Sequence, residues 1–282
     1  MPDSHDVLPN APLALVAVEI RFPNGASGQT LPMNLRRSFR DLLGKDWVLE
    51  SQAPPFQLAH AIGPRGALPA QTAPTASIPR FTVRDRTMAV AITEQSMTIE
   101  ATRYRHYPTF REIVERAVDA ATQVLLPEGI ARIGMRYVDE VRVPNISGDD
   151  PSAWKTWVDM SLLAPQLTAM EESGYTSGGW EGAAQYQTGP EQKLVLRYGP
   201  RTGYAVSPHG PLKRPTVSLP GPLFVLDFDC FWEPTDIPEF EPAAIMATCD
   251  QLRKPIRALF DMLTTEKLRD ELAKLAKEDV GD

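Results

Sequence analysis

Apolar residues recur at every second position in the first ordered stretch of this chain. In LALVAVEIRF, Val16, Val18, Ile20 and Phe22 share one side, the spacing of a strand with one buried face. The period then lengthens. Between Met33 and Leu43, Leu35, Phe39, Leu42 and Leu43 fall at helical spacing, and Gly44 supplies a stop. The segment from Gln52 to Pro79 holds six prolines and two glycines, which sustain neither ladder nor helix, and predicts a long loop.

Alternation returns after Pro79. Phe81 and Val83, then Met88, Val90 and Ile92, then Met97 and Ile99 predict an antiparallel meander with turns at Asp85-Arg86 and Glu94-Gln95. Phe110, Ile113, Val114, Ala117, Val118, Ala121 and Leu125 form one stripe at helical period, so a long helix should cover that meander and end before Pro127.

The same grammar then repeats. ARIGMRYVDEVRV reads as an opening strand, and Trp154, Trp157, Val158 and Leu162 recur at helical spacing after it. Candidate strands follow at Trp180 to Thr188 and Leu194 to Tyr198, then a Pro/Gly-rich excursion from Gly199 to Pro222 and the strongly patterned FVLDFDCFW. A helical region from Ala243 to Leu263 carries Pro255, which predicts a kink or a fresh start. A charged terminal helix follows, with Leu268, Leu272 and Leu275 as a stripe too narrow for deep burial.

The expected fold is therefore α+β. Two pseudo-symmetric β-α-β-β-β-α-like repeats, residues 1–128 with the loop 52–79 and residues 129–282 with the loop 199–222 and the terminal helix, should form a curved antiparallel sheet with helices on one face. The order is similar to saddle folds of the TATA-binding type. That analogy carries no function by itself.

Charge narrows the partners. A net charge of −7 and a pI near 5.3 disfavour nucleic acid and anionic membrane, both of which select a surplus of Lys and Arg. The longest apolar stretches run about ten residues, half of a bilayer span, and MPDSHDVLPNAP has no leader pattern, so a cytoplasmic protein is expected. Cys230 and Cys249 sit in no paired motif and read as buried free thiols.

Candidate chemistry is sparse. His5, His60, His106 and His209 are too dispersed in sequence for a recognisable zinc site, GASG at Gly25–Gly28 lacks the spacing of a nucleophile elbow, and there is no phosphate-loop or dinucleotide fingerprint. No metal, cofactor or catalytic residue is assigned. One constellation stands out. If the apolar strand faces meet the helices, the opposite faces carry Glu19, Arg21, Arg84, Glu100, Arg132, Arg136, Glu140, Arg197, Asp227 and Asp229. Arg21, Arg132, Arg136, Arg197, Asp227 and Asp229 are the candidate site, a polar floor for a protein partner or small ligand. Cross-strand ion pairing on a solvated face is the structural alternative, and an enzyme with an Arg/Asp-lined pocket the chemical one. Asp139 interrupts an apolar series and implies a bulge or a buried carboxyl hydrogen-bonded near Arg136. Trp154, Trp157, Trp180 and Trp232 suit a core or a pocket wall, and the terminal helix is a candidate interface.

PLALVAVEIRF, RIGMRYVDEV from Arg132 and FDMLTTEKLRDEL from Phe260 resemble the three landmarks of a sporadically distributed, functionally uncharacterised bacterial protein family. The resemblance covers nearly the whole chain and supplies no catalytic residues. A patchy distribution implies accessory genes, which often belong to defence, toxin-neutralising or stress modules. It implies an interaction or regulatory protein rather than a metabolic enzyme.

Overall fold

The computed structural model describes residues 11–23, 31–50, 79–144, 146, 150–175, 179–215 and 219–274. The loop expected over 52–79, the GASG segment, His5, His60 and Leu275 lie outside the described residues, apart from Pro79. The fold is α+β. Among the described residues nine strands form one antiparallel sheet: β1 (Leu13–Arg21), β2 (Trp47–Glu50), β3 (Arg80–Val83), β4 (Met88–Ile92), β5 (Ser96–Ala101), β6 (Arg132–Val141), β7 (Gly182–Gly189), β8 (Gln192–Gly203) and β9 (Gly221–Trp232). Their order across the sheet is β2-β3-β4-β5-β1-β6-β9-β8-β7. In each half, the opening strand lies beside the last strand before that half's long helix, and β1 pairs with β6 at the centre. The halves therefore share one sheet.

Parity decides which side each strand residue takes. Val16, Val18, Ile20, Phe81, Val90, Met97, Ile99, Ile133, Met135, Leu194, Leu196, Phe224, Leu226 and Phe228 are all buried in one core with the helices. The helices are α1 (Met33–Leu43), α2 (Tyr107–Val124), the single turn α3 (Pro151–Trp154), α4 (Ala164–Ser173), α5 (Pro242–Leu263) and α6 (Glu266–Lys274). On α2, Phe110, Val114, Ala117, Val118 and Ala121 make the buried stripe, and burial of each large one contributes about 1.5–3 kcal/mol. The start of α2 is fixed by Pro108 and by the His106 ring, which accepts from the Thr109 N–H at 3.3 Å. At α5 the Glu241 carboxylate accepts from Ala244 at 2.7 Å, ahead of Pro242.

Four local expectations change. Trp154 and Leu162 do not share one helix: Asp150 caps Ser152 N at 2.8 Å and Asp159 caps Ser161 N at 2.9 Å, starting separate turns, while Val158 leaves to bridge Thr264. The three side chains are buried all the same. The excursion is shorter than its Pro/Gly content implies, because β8 runs on to Gly203 and β9 begins at Gly221. Helix α5 passes through Pro255 as one element rather than starting anew. In α6, Leu268 and Leu272 are buried in the main core, deeper than so narrow a stripe implies.

Candidate functional site

All six candidate residues lie on the sheet face away from the helices. Arg21 stands opposite Arg132 in register, Arg136 opposite Asp229, and Arg197 opposite Asp227. The even offsets of Arg132 and Arg136 on β6, and of Asp227 and Asp229 on β9, put each pair on the same side as its neighbours' polar residues.

Two guanidinium nodes organise this face. Arg132 donates to Glu19 at 2.7 Å and to Asp229 at 3.3 Å, with Glu233 at 3.5 Å, and stacks on the Phe231 ring at 4.5 Å. To reach both flanks it lies across Gly134, whose register partners are Glu19 and Phe231. Arg136 forms a two-pronged pair with Asp227, Nε to Oδ1 at 2.7 Å and Nη2 to Oδ2 at 2.6 Å. Asp227 is 2% exposed, so the face is far less solvated here than alternating charge along the strands implies. Burial acts to lower the Arg136 pKa, but the Asp227 carboxylate prevails and holds it above the usual arginine value.

Arg197 differs from these. It makes no hydrogen bond or ion pair with any described residue, and both oxygens of its register partner Asp227 are already taken by Arg136. Its partly buried side chain shares the neighbourhood with Glu181, which pairs weakly with Arg201 at 3.4 Å. Burial raises the Glu181 carboxyl above its ordinary value, partly offset by Arg201 and Arg197. Arg21 is the other accessible cation of the six, half exposed and bonded to Glu19 at 2.9 Å.

A strap crosses the other end of the same face. The segment from Tyr204 to Arg214 places Val206 and Leu212 on Leu15, Ala89 and Val138. Glu140 anchors it. Its Oε1 accepts from Ala205 N at 2.9 Å, Val206 N at 3.0 Å and Arg214 Nη1 at 2.8 Å, while Oε2 accepts from Arg214 Nη2 at 3.0 Å and Arg142 Nη2 at 2.9 Å. Both guanidinium groups also lie over the Tyr204 ring. Burial works to raise the Glu140 carboxyl, but the bonds from Arg214, Val206 and Arg142 hold it below the usual carboxylate range. Near the end of the strap the Lys213 backbone N–H donates to Arg86 O at 2.8 Å, and its carbonyl accepts from Thr102 Oγ1 at 2.5 Å.

The remaining sequence candidates are structural. His106 is a helix cap and His209 sits on the strap. Cys230 and Cys249 are buried free thiols, pushed up to about 11 and about 12 by burial. Trp154 packs against Phe224 at 5.3 Å between ring centroids, and Trp180 lies 5.8 Å from the same ring, which assigns both to the core. Arg84 follows β3 and is exposed. Asp139 does not pair with Arg136. It points to the helix side opposite a bulge at Leu13/Leu15, and burial, with the nearby Asp227 charge, pushes its carboxyl up to about 8. Among the described residues no group of His, Cys, Asp and Glu side chains could hold a metal ion, and no helix is long and apolar enough to cross a membrane.

Comparison with known protein families and with curated proteins finds no match for this chain.

Two polar elements of this face escaped the sequence reading. Glu140 was legible as a polar-face residue, but its anchoring role depends on a loop far along the chain. The buried Arg80–Glu100 pair, 3.1 Å apart, was visible only as half of itself, because Arg80 directly follows the Pro-rich stretch and precedes any clear alternation.

Proposed function

We propose that this chain is a binding protein whose contact surface is the polar face of β1, β6, β9 and β8, and that Arg197 receives an acidic group of a protein partner there. The observation that carries the reading is the contrast between Arg197 and its neighbours. Arg132 and Arg136 are held by carboxylates, whereas Arg197 keeps its donors and sits beside a carboxylate whose oxygens are both engaged. Guanidinium groups in such surroundings recognise carboxylates with defined geometry. The binding reading is favoured over the enzymatic one because Asp227 accepts two short bonds from Arg136, which suits a fixed support better than a proton-transfer group.

Membership of the bacterial family that the chain's landmarks resemble, a cytoplasmic setting and a role in a defence or toxin-neutralising module form part of the same proposal. So does descent of the two halves from one duplicated unit. It is supported by strand order, since β1-β5-β4-β3 and β6-β9-β8-β7 run outward from the centre in the same sequence of roles.

The test uses photo-crosslinking. A photoreactive residue in place of Val195, a neighbour of Arg197 on the same strand face, should capture a partner in the producing cell. The same residue in place of Leu126, exposed at the end of α2, should not. Capture from position 126 alone would contradict the assignment of the face.

A further inference from the structure

Strand β7 forms one margin of the sheet and is the only described strand with no buried residue. It pairs with β8 from Gly182 to Gly189 and, among the described residues, with nothing on its outer side. Ala183, Gln185, Tyr186 and Gln187 are exposed, and none of its side chains joins the main core. Burial therefore does not account for eight residues held in regular extended form.

Such a margin leaves alternate backbone N–H and C=O groups unpaired, and sheets usually blunt it with charge, proline or brevity. GAAQYQTG has neither a charged residue nor a proline and is not short. The opposite margin is managed differently: β2 has four residues, Trp47 is buried, and Glu50 is tied to Arg86 at 2.9 Å. The free edge of β7 is thus a template for an added strand.

Charge selects the occupant. Period two puts Lys193, Arg197 and Arg201 in a row on the polar face of β8, one strand in from the edge. Lys193 and Arg197 pair with no described carboxylate, and Arg201 makes the 3.4 Å contact with Glu181. The other acid nearby, Glu191 in the turn after β7, is held by Thr235 N at 2.6 Å. In register, Ala183 alone separates Arg197 from the free edge. A strand added beside β7 would lie about 10 Å from β8, a gap bridged by a guanidinium and an acidic side chain that reach toward each other over an alanine.

We propose that an extended acidic segment of a partner protein adds as a strand to the free edge of β7 and turns a carboxylate toward Arg197 across Ala183. The proposal rests on the partner-binding reading of Arg197 and adds the edge by which the partner docks. Main-chain hydrogen bonds to β7 supply the docking, and the cationic row of β8 supplies the preference for acidic side chains.

The probe is a short fluorescein-labelled peptide that alternates glutamate with threonine, titrated with the full chain at low salt and read by anisotropy. A peptide with lysine in place of glutamate is the charge control. Two further versions are N-methylated at every glutamate or at every threonine. Successive N–H groups of a strand point to opposite edges, so each version removes the donors of one edge. Strand addition predicts saturable binding of the parent peptide, ten-fold or more tighter than the lysine peptide. One methylated version should bind ten-fold or more weakly, and the other should not. Arg197→Gln should weaken the parent peptide five-fold or more. Binding that falls in Arg197→Gln yet is equal for the two methylated versions overturns strand addition while the Arg197 contact surface stands. Edge-specific binding that is unchanged in Arg197→Gln overturns the pairing with that residue. Absence of saturable binding overturns the proposal, as does a free chain that sediments as a dimer the peptide does not dissociate, which would assign the edge to a second copy.

Discussion

The Arg132 guanidinium occupies the space where a side chain at Gly134 would stand: a Cβ built there would come within 2.9 Å of its Cζ. Gly134 thus serves packing rather than backbone freedom, and lets one arginine bridge Glu19 on β1 and Asp229 on β9. Gly134→Val should expel Arg132 and break both pairs, at a cost of about 1–3 kcal/mol, with Gly134→Ala between it and wild type. Urea unfolding measures this. A neutral Gly134→Val would show that the bridge contributes nothing.

Asp227 and Arg136 test the difference between a buried and a solvated pair. With Asp227 at 2% exposure, Asp227→Ala should cost about 3 kcal/mol or more, because it leaves a guanidinium buried without its partner. Replacing both residues with apolar ones of similar volume should recover much of the loss. A double-mutant cycle with coupling below about 0.5 kcal/mol would place the pair among ordinary surface bridges.

Asp139 gives stability a definite pH slope. Its folded-state carboxyl, pushed up to about 8, lies well above the unfolded value near 4, so folding takes up a proton between those limits. The stabilisation is complete below the lower limit and is lost as pH rises through the upper one, by up to ~1.4 kcal/mol per unit. Asp139→Asn removes the titration, and its stability relative to wild type should rise steadily from pH 5 to pH 8 in urea melts. A constant difference would mean the carboxyl is not held neutral.

Glu140 works in the opposite direction. Its lowered carboxyl contributes stability above the unfolded value and loses it as pH falls through the folded one, which lies lower still. Glu140→Gln removes the carboxylate charge that all the donors of the strap anchor face. Limited proteolysis between Tyr204 and Arg214 should then accelerate several-fold at neutral pH, while the β1–β6 core stays intact. Unchanged cleavage would show that Val206 and Leu212 hold the strap without it.

The long strands and both long helices were readable because one face of each is buried, which writes period two or 3.6 directly into the residues. Parity alone then placed Arg21, Arg132, Arg136, Arg197, Asp227 and Asp229 on the other face. Elements without such a face were not readable. Strand β2 has four residues and only Trp47 buried. The end of β8 was hidden by Gly199 and Pro200, yet β7 begins at Gly182 opposite Tyr198, so β8 is an edge beyond that point and tolerates proline. Solvation was illegible too. Whether Asp227 or Arg80 meets water depends on what folds over the sheet, and strand alternation carries no record of that.

The central claim concerns Arg197, and affinity for the crosslinked partner tests it most directly. Arg197→Gln removes a partly exposed charge that pairs with no described residue, so the unfolding midpoint should stay within a degree or so of wild type. Its affinity for the partner should fall ten-fold or more, with a slower association rate at low salt. Equal affinity of wild type and Arg197→Gln, with both proteins equally stable, would contradict a contact surface centred on this residue.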